Sequence, residues 1–199
     1  MEISLTPLQA RVLRVLAGLP WTLTGGGALI GYHLHHRTTR DLDLFFRGRR
    51  SLDQLPAQVE LRLVRDGLTV ERLQTVETFV RLRVSDGVET FPIDLVAEPV
   101  PSIEPPLEID GIYVDTAYEI LVNKLNALLG RWATRDLVDV RALLATGLDL
   151  RRAMADAPKK DGGFSPETLA WVLDNLPESG MPEDLQAFRK EFVALLLAP

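Results

Sequence analysis

Two aspartates flank one leucine in Arg40-Asp41-Leu42-Asp43-Leu44-Phe45-Phe46, an otherwise apolar stretch. In a strand, successive side chains point to opposite faces. Asp41 and Asp43 would then share a face, with Cα atoms roughly 6.5–7 Å apart, while Leu42 and Leu44 point into a core. Two acids side by side on a buried strand repel and lose hydration unless a cation neutralises them. Alone, an Asp-x-Asp is better read as the polar face of an exposed edge strand. A third acid, Asp94 in Phe91-Pro92-Ile93-Asp94-Leu95-Val96, falls in another apolar strand, where a carboxylate needs a partner. By itself it also fits a strand-end acid bonded to local backbone. If the two strands are neighbours, the three carboxylates make an oxygen-rich site for two Mg²⁺ ions. Such ions would activate an attacking hydroxyl and stabilise a departing pyrophosphate.

Upstream lies Thr24-Gly25-Gly26-Gly27-Ala28-Leu29. Glycines let backbone approach a ligand, and a following helix presents N–H groups and a positive dipole end, which suits a triphosphate. The pattern is neither a Walker A motif nor GxGxxG. A glycine turn between strand and helix is also a common structural device. Farther along, Lys124, one of four lysines, stands at helical spacing from Leu121, Leu125 and Leu128. A half-buried lysine needs an anion, and a nucleotide phosphate or an aspartate would serve. Asp136 and Asp139, one turn apart on the next helix, would orient Lys124 or Arg131, help bind base or metal, or simply form a helix–helix salt bridge.

These residues need a scaffold, and the pattern supplies one. Residues 6–17 read as an amphipathic helix behind Thr6 as N-cap and Pro7 in the first turn. Residues 21–24 and 40–46 read as strands around the glycine turn and a helix from about 28 to 36. A helix is expected over 52–64. Strands at 68–73, 79–84 and 89–96 follow, with Asp86-Gly87 as a hairpin turn. The four prolines of 98–106 mark a boundary, and a small hairpin follows it. Beyond it a helix runs to about 129 and another, capped by Thr134, to about 145. Two or three more fill 150–198. Trp171, Phe188 and Phe192 read as core, Lys159-Lys160 as solvated, and His33, His35 and His36 as a helix surface with poor metal spacing.

The 199 residues, 46% hydrophobic and 25% charged, exclude disorder, collagen and coiled coil as the overall class. No apolar run reaches the ~20 residues of a membrane helix. The amphipathic N-terminus with acidic Glu2 is not expected to be a signal peptide. The absence of cysteine excludes disulfides, thiolate zinc sites and cysteine nucleophiles, and the cytoplasm is the expected compartment. Residues 1–99 balance 12 Lys/Arg against 12 Asp/Glu, whereas 100–199 hold 10 against 16, so a general nucleic-acid coat is not expected. Residues 31–65 run the other way, with seven arginines, as a local anion site or a solvated face.

The order of these features resembles the polymerase-β-type nucleotidyltransferase superfamily: strand, Gly-Gly turn, short helix, Arg37-x-x-x-Asp41-x-Asp43, then a distant strand with Asp94. The stretches 25–29 and 37–45, with Asn123-Lys124-Leu125-Asn126, Arg131 and Arg135-Asp136-Leu137-Val138-Asp139, look most like the AbiEii/AbiGii toxin family. The resemblance covers about 20–145. It implies an α+β fold: a mixed-sheet nucleotidyltransferase core with flanking helices at 1–99, then a mainly helical C-terminal region at 107–199 that completes the nucleotide site. It implies that an NTP and Mg²⁺ (or Mn²⁺) are used. Asp41 and Asp43 would bind both metals, and Asp94 would complete the second site near the attacking hydroxyl. Gly25, Gly26 and Lys124 would hold phosphates, and Arg37, Thr38 and Asp139 would also serve nucleotide binding. The superfamily often has Gly-Ser where this chain has Gly-Gly, so Thr24 or Thr38 would replace a serine. The implied acceptor is RNA, the 3′ end of tRNA, with an antitoxin protein as partner and the arginines at 37, 40, 47, 49 and 50 meeting acceptor phosphates. A small-molecule, antibiotic-type transferase and a non-catalytic nucleotide-binding module are the alternatives.

Overall fold

A computed structural model describes residues 5–131 and 133–198, which leaves Glu2 outside the described residues. The chain divides into two compact units, Met1–Thr116 and Ala117–Pro199.

The first unit is built on a mixed seven-stranded sheet in the order β3-β4-β5-β2-β1-β7-β6. Its strands are β1 (Thr22–Thr24), β2 (Leu42–Arg47), β3 (Thr69–Val76), β4 (Phe79–Ser85), β5 (Thr90–Glu98), β6 (Leu107–Ile109) and β7 (Ile112–Val114). β2 runs parallel to β5 and antiparallel to β1, and β5 is antiparallel to β4. Alternation decides which way each side chain points. β2 buries Leu42, Leu44 and Phe46; β5 buries Ile93 and Leu95; β4 buries Val80, Leu82 and Val84. Each such side chain contributes about 1.5–3 kcal/mol by leaving water, so a one-residue slip of register is prohibitive. The intervening positions, Asp43 and Asp94 among them, are thereby fixed on the opposite face.

Helix α1 (Pro7–Leu16) starts where expected, with Thr6 and Gln9 closing a reciprocal capping box. It contributes Leu8, Val12, Leu13 and Leu16 to the core and packs against α3 (Leu55–Arg65), which adds Val59 and Leu63. The glycine segment differs from the expected turn. Gly25–Ala28 is already helical (α2) and passes into a π-helical turn at Leu29–His33, so the helix begins three residues early and ends three early. Extended Thr24 precedes it, and the Leu29 N–H donates to the carbonyls of Gly25 and Gly26. The hairpin 107–114, placed with the helical region on the strength of the proline boundary, instead forms the β6–β7 edge of the sheet. There β7 pairs with β1 through Thr22 and Leu23, so the division falls at 116/117.

The second unit is helical: α4 (Ala117–Gly130), α5 (Thr134–Ala145), α6 (Leu150–Asp156), a 3₁₀ turn at Ala157–Lys159, α7 (Pro166–Asp174) and α8 (Glu183–Leu196). Its core includes Leu121, Leu125, Leu128, Leu137, Val140, Leu169, Leu173 and Phe192. Three expectations are corrected. Trp171 is 68% exposed, because the buried stripe of α7 runs through Leu169, Ala170 and Leu173 and leaves Trp171 off it. Lys160 is not solvated: its ammonium is buried against the fully buried Glu119 at 2.5 Å, while Lys159 stays exposed on Asp156. Thr134 lies inside α5, and Ala133 takes the N-cap position. Among the described residues no helix is long and apolar enough to cross a membrane.

Candidate active site

The sheet register brings the acids of the first unit together. Asp43 on β2 lies directly beside Asp94 on β5, and Asp43 also faces Thr24 on β1. Parallel neighbours in register share a face about 4.8 Å apart. Asp41 immediately precedes β2, two residues from Asp43. Across the other side of Asp94 stands Arg81 on β4. One row across four strands therefore reads Thr24, Asp43, Asp94, Arg81.

The row's electrostatics are specific. Arg81 holds Asp94 in a two-pronged grip, Nε to Oδ1 at 2.7 Å and a terminal nitrogen to Oδ2 at 2.6 Å. Asp94 is 7% exposed, so both of its oxygens are engaged in a largely dry setting. The hydrogen bond to Asp94 raises the guanidinium's pKa above its ordinary value; burial opposes this, and the charges of Asp94, Asp41 and Asp43 reinforce it. Asp41 accepts a hydrogen bond from the Thr39 hydroxyl at 3.1 Å on its carboxylate. The Thr39 carbonyl in turn accepts from the buried Gln9 amide at 3.3 Å, which ties the acid loop to α1.

The glycines matter by close approach. Gly25 has φ +60°, and a Cβ there would collide with Asp43 Oδ2. A Cβ on Gly26 would lie 2.8 Å from Thr39 Oγ1 and 3.0 Å from the Arg37 guanidinium. The backbone of 25–26 is thus pressed against an acid on one side and a hydroxyl and a cation on the other. Arg37 also donates to the carbonyl of Thr38 at 2.8 Å. Thr38 itself is exposed, whereas Thr39 is buried and faces Asp41 and Gly26. Arg40, Arg49 and Arg50 are exposed, but Arg47 pairs with the fully buried Asp115 at 2.5 Å.

Lys124 and Asp139 belong to the second unit. There the Lys124 ammonium lies 2.5 Å from Asp136 and 2.9 Å from Asp139, both carboxylates fully buried. Arg131 Nε stands 3.7 Å from Asp136. Lys124 and Arg131 thus stand against the charges of Asp136 and Asp139.

Hard carboxylate oxygens in adjacent strands suit a divalent cation such as Mg²⁺ in their chemistry. In their positions, no three His, Asp or Glu side chains among the described residues converge as a ready-made cage. The donor set fits a cation, and at Asp94 that cation would stand against the positive charge of Arg81. Sequence reasoning missed Arg81 and Thr39. Arg81 occupies an ordinary polar position of an alternating strand, and only the β4–β5 register shows what it faces. Thr39 differs from Thr38 by loop direction alone.

The comparisons with known proteins point one way. A family model described as nucleotidyl transferase AbiEii toxin, type IV TA system, matches residues 8–199. Among curated proteins none matches the sequence. The crystal structure of JHP933 from Helicobacter pylori is similar with a TM-score of 0.61 and 22% identity, covering 95% of this chain and 88% of that one. A second H. pylori crystal structure, of a candidate nucleotidyltransferase, has a TM-score of 0.59 at 22% identity, over 95% of this chain and 91% of that one. At that identity these two similarities establish the fold, and the family match over nearly the whole sequence establishes the lineage: the chain belongs to the AbiEii family of nucleotidyltransferase toxins.

Proposed function

We propose that the protein transfers a nucleotidyl group from an NTP to an RNA acceptor, the 3′ end of a tRNA, with Mg²⁺ or Mn²⁺, in the cytoplasm, as the toxin of a toxin–antitoxin pair. The carrying observation is the acid row: Asp43 beside Asp94, Asp41 two residues away, and the Gly25 backbone packed against Asp43. Enzymes of this family generally use an NTP and a divalent metal. Asp41 and Asp43 would hold the cation, with Asp94 completing the set. When bound, the cation supplies charge neutralisation for the attacking oxygen and the departing pyrophosphate.

The chain's own groups do the positioning. Gly26, lacking a side chain, lets the Arg37 guanidinium close on the backbone, and that cation offers forked donors to phosphate oxygens. The Thr39 hydroxyl orients the Asp41 carboxylate. Asp94 would sit nearest the acceptor hydroxyl and help lower the cost of its ionisation. Thr38, exposed on the same loop, is the less favoured hydroxyl for nucleotide contact. Lys124 and Asp139 enter the reading more narrowly. The lysine is already shared between Asp136 and Asp139, so a phosphate would have to compete with two carboxylates for it. The exposed Arg40, Arg49 and Arg50 would meet acceptor phosphates, which makes binding weaken as salt rises. A second reading, transfer to a small cationic molecule, is favoured by the excess of acids in residues 100–199.

The test is label transfer from each α-labelled NTP in turn, with Mg²⁺, to cellular RNA or to a pool of small-molecule acceptors, comparing wild type with Asp41→Ala. Label on RNA that is lost in the variant supports the proposal. Label on small molecules alone replaces it with the second reading.

A further inference from the structure

The acid row faces a problem without a cation. Asp43 and Asp94 are side by side on adjacent strands, and Asp94 is nearly buried. Two like charges at that spacing destabilise each other unless something positive intervenes. One positive group at the row is Arg81, which binds both oxygens of Asp94 at 2.7 and 2.6 Å. The fork takes a lone pair on each oxygen and sets a full positive charge against Asp94, so a cation approaching those oxygens meets a like charge beside them. Yet Arg81 is not locked in place. Its side chain is 42% exposed, on a long flexible stem, and its guanidinium carbon lies 5.6 Å from the centre of the Phe79 ring two residues along the same strand. That aromatic face already backs the guanidinium while it holds Asp94.

We propose that Arg81 is an exchangeable counter-charge: it clamps Asp94 in the cation-free protein and yields it when a divalent cation binds the acid row. It is a positioning residue, acting on the reaction through Asp94. This rests on the acid row being the reaction centre proposed above. The clamp keeps the acids in place before loading, at the expense of cation affinity.

The experiment is Mn²⁺ binding to the full chain without nucleotide, followed by the electron paramagnetic resonance of unbound Mn²⁺. Arg81→Met should bind Mn²⁺ about tenfold more tightly than wild type, because the competitor is gone. Arg81→Lys keeps the charge but loses the fork and should fall between them; it decides the matter if the Met variant does not fold. Arg83→Met removes the next cation on the same face of β4, paired with Glu71 at 2.7 Å, and should stay within about twofold of wild type. In an Asp94→Asn background, removing Arg81 should tighten binding clearly less than in the wild type, because the main effect runs through Asp94 and only the field at Asp41 and Asp43 remains. Unchanged or weaker binding by both Arg81 variants overturns the exchange while leaving the metal site standing. Equal tightening by Arg83→Met also overturns it, since a general field would then suffice. No Mn²⁺ binding by any of the proteins overturns both the exchange and the metal reading beneath it.

Discussion

Gly25→Ala separates backbone strain from damage to the acid row. Gly25 has φ +60°, where an alanine costs roughly 1–2 kcal/mol. For a chain of this size each kcal/mol lowers Tm by about 2–4 °C, so strain alone predicts a fall of about 2–8 °C. The added methyl also lands on Asp43 Oδ2, and the carboxylate must move. Displacing a catalytic group by about 1 Å can cost on the order of 10²-fold in rate, so transfer activity should drop about a hundredfold below the fold's melting temperature. Gly67→Ala is the control. Gly67 has φ +80° and nothing within 4 Å of its would-be Cβ, so that variant should lose comparable Tm and keep its activity. The assay pairs thermal melts with initial transfer rates at a temperature where both variants are folded. Equal activity in Gly25→Ala and Gly67→Ala would refute the close approach of backbone and acid as a requirement.

Other perturbations probe the supporting structure. Lys124→Met leaves the buried Asp136 and Asp139 without their shared cation and should destabilise the protein by about 3–5 kcal/mol in urea; a loss under about 1 kcal/mol would contradict the pairing. Asp156 has a carboxyl pKa held below 3.8, first by the hydrogen bond from Lys159 and then by that from Tyr118. Its contribution is therefore fully present above that ordinary value and is lost as pH falls through the lower folded one. Tyr118→Phe should flatten this acid dependence of the urea midpoint, and an identical pH profile would rule the hydrogen bond out as a source.

The acid row was legible because the chemistry and the core share one alternation. Leu42 and Leu44 must face inward, so Asp41 and Asp43 cannot, and the same holds for Ile93, Asp94 and Leu95. What local sequence could not supply was register. Nothing in Phe79–Ser85 says that Arg81 faces Asp94 rather than solvent. The same blindness hid the Lys160–Glu119 pair, whose partners are 41 positions apart and meet only when α4 packs against the 3₁₀ turn and its surroundings. The three glycines read as a turn because each disfavours helix by about 1 kcal/mol relative to alanine. Close approach to Asp43, Thr39 and Leu42 overrides that preference by excluding any side chain. The four prolines of 98–106 resemble a domain boundary in sequence, yet they only bridge β5 to the 107–114 hairpin at the far edge of the same sheet.

The central claim is that the acid row is the reaction centre. The most direct measurement is the single-turnover rate of nucleotidyl transfer by Asp43→Asn and Asp94→Asn, with melting curves showing that each variant is folded. Each substitution keeps shape and removes one charge from the row. The account predicts folded variants whose rates fall by on the order of 10³-fold or more, as loss of a group that positions charge at the reacting phosphorus requires. Folded variants that transfer nucleotide at wild-type rates would place the chemistry elsewhere.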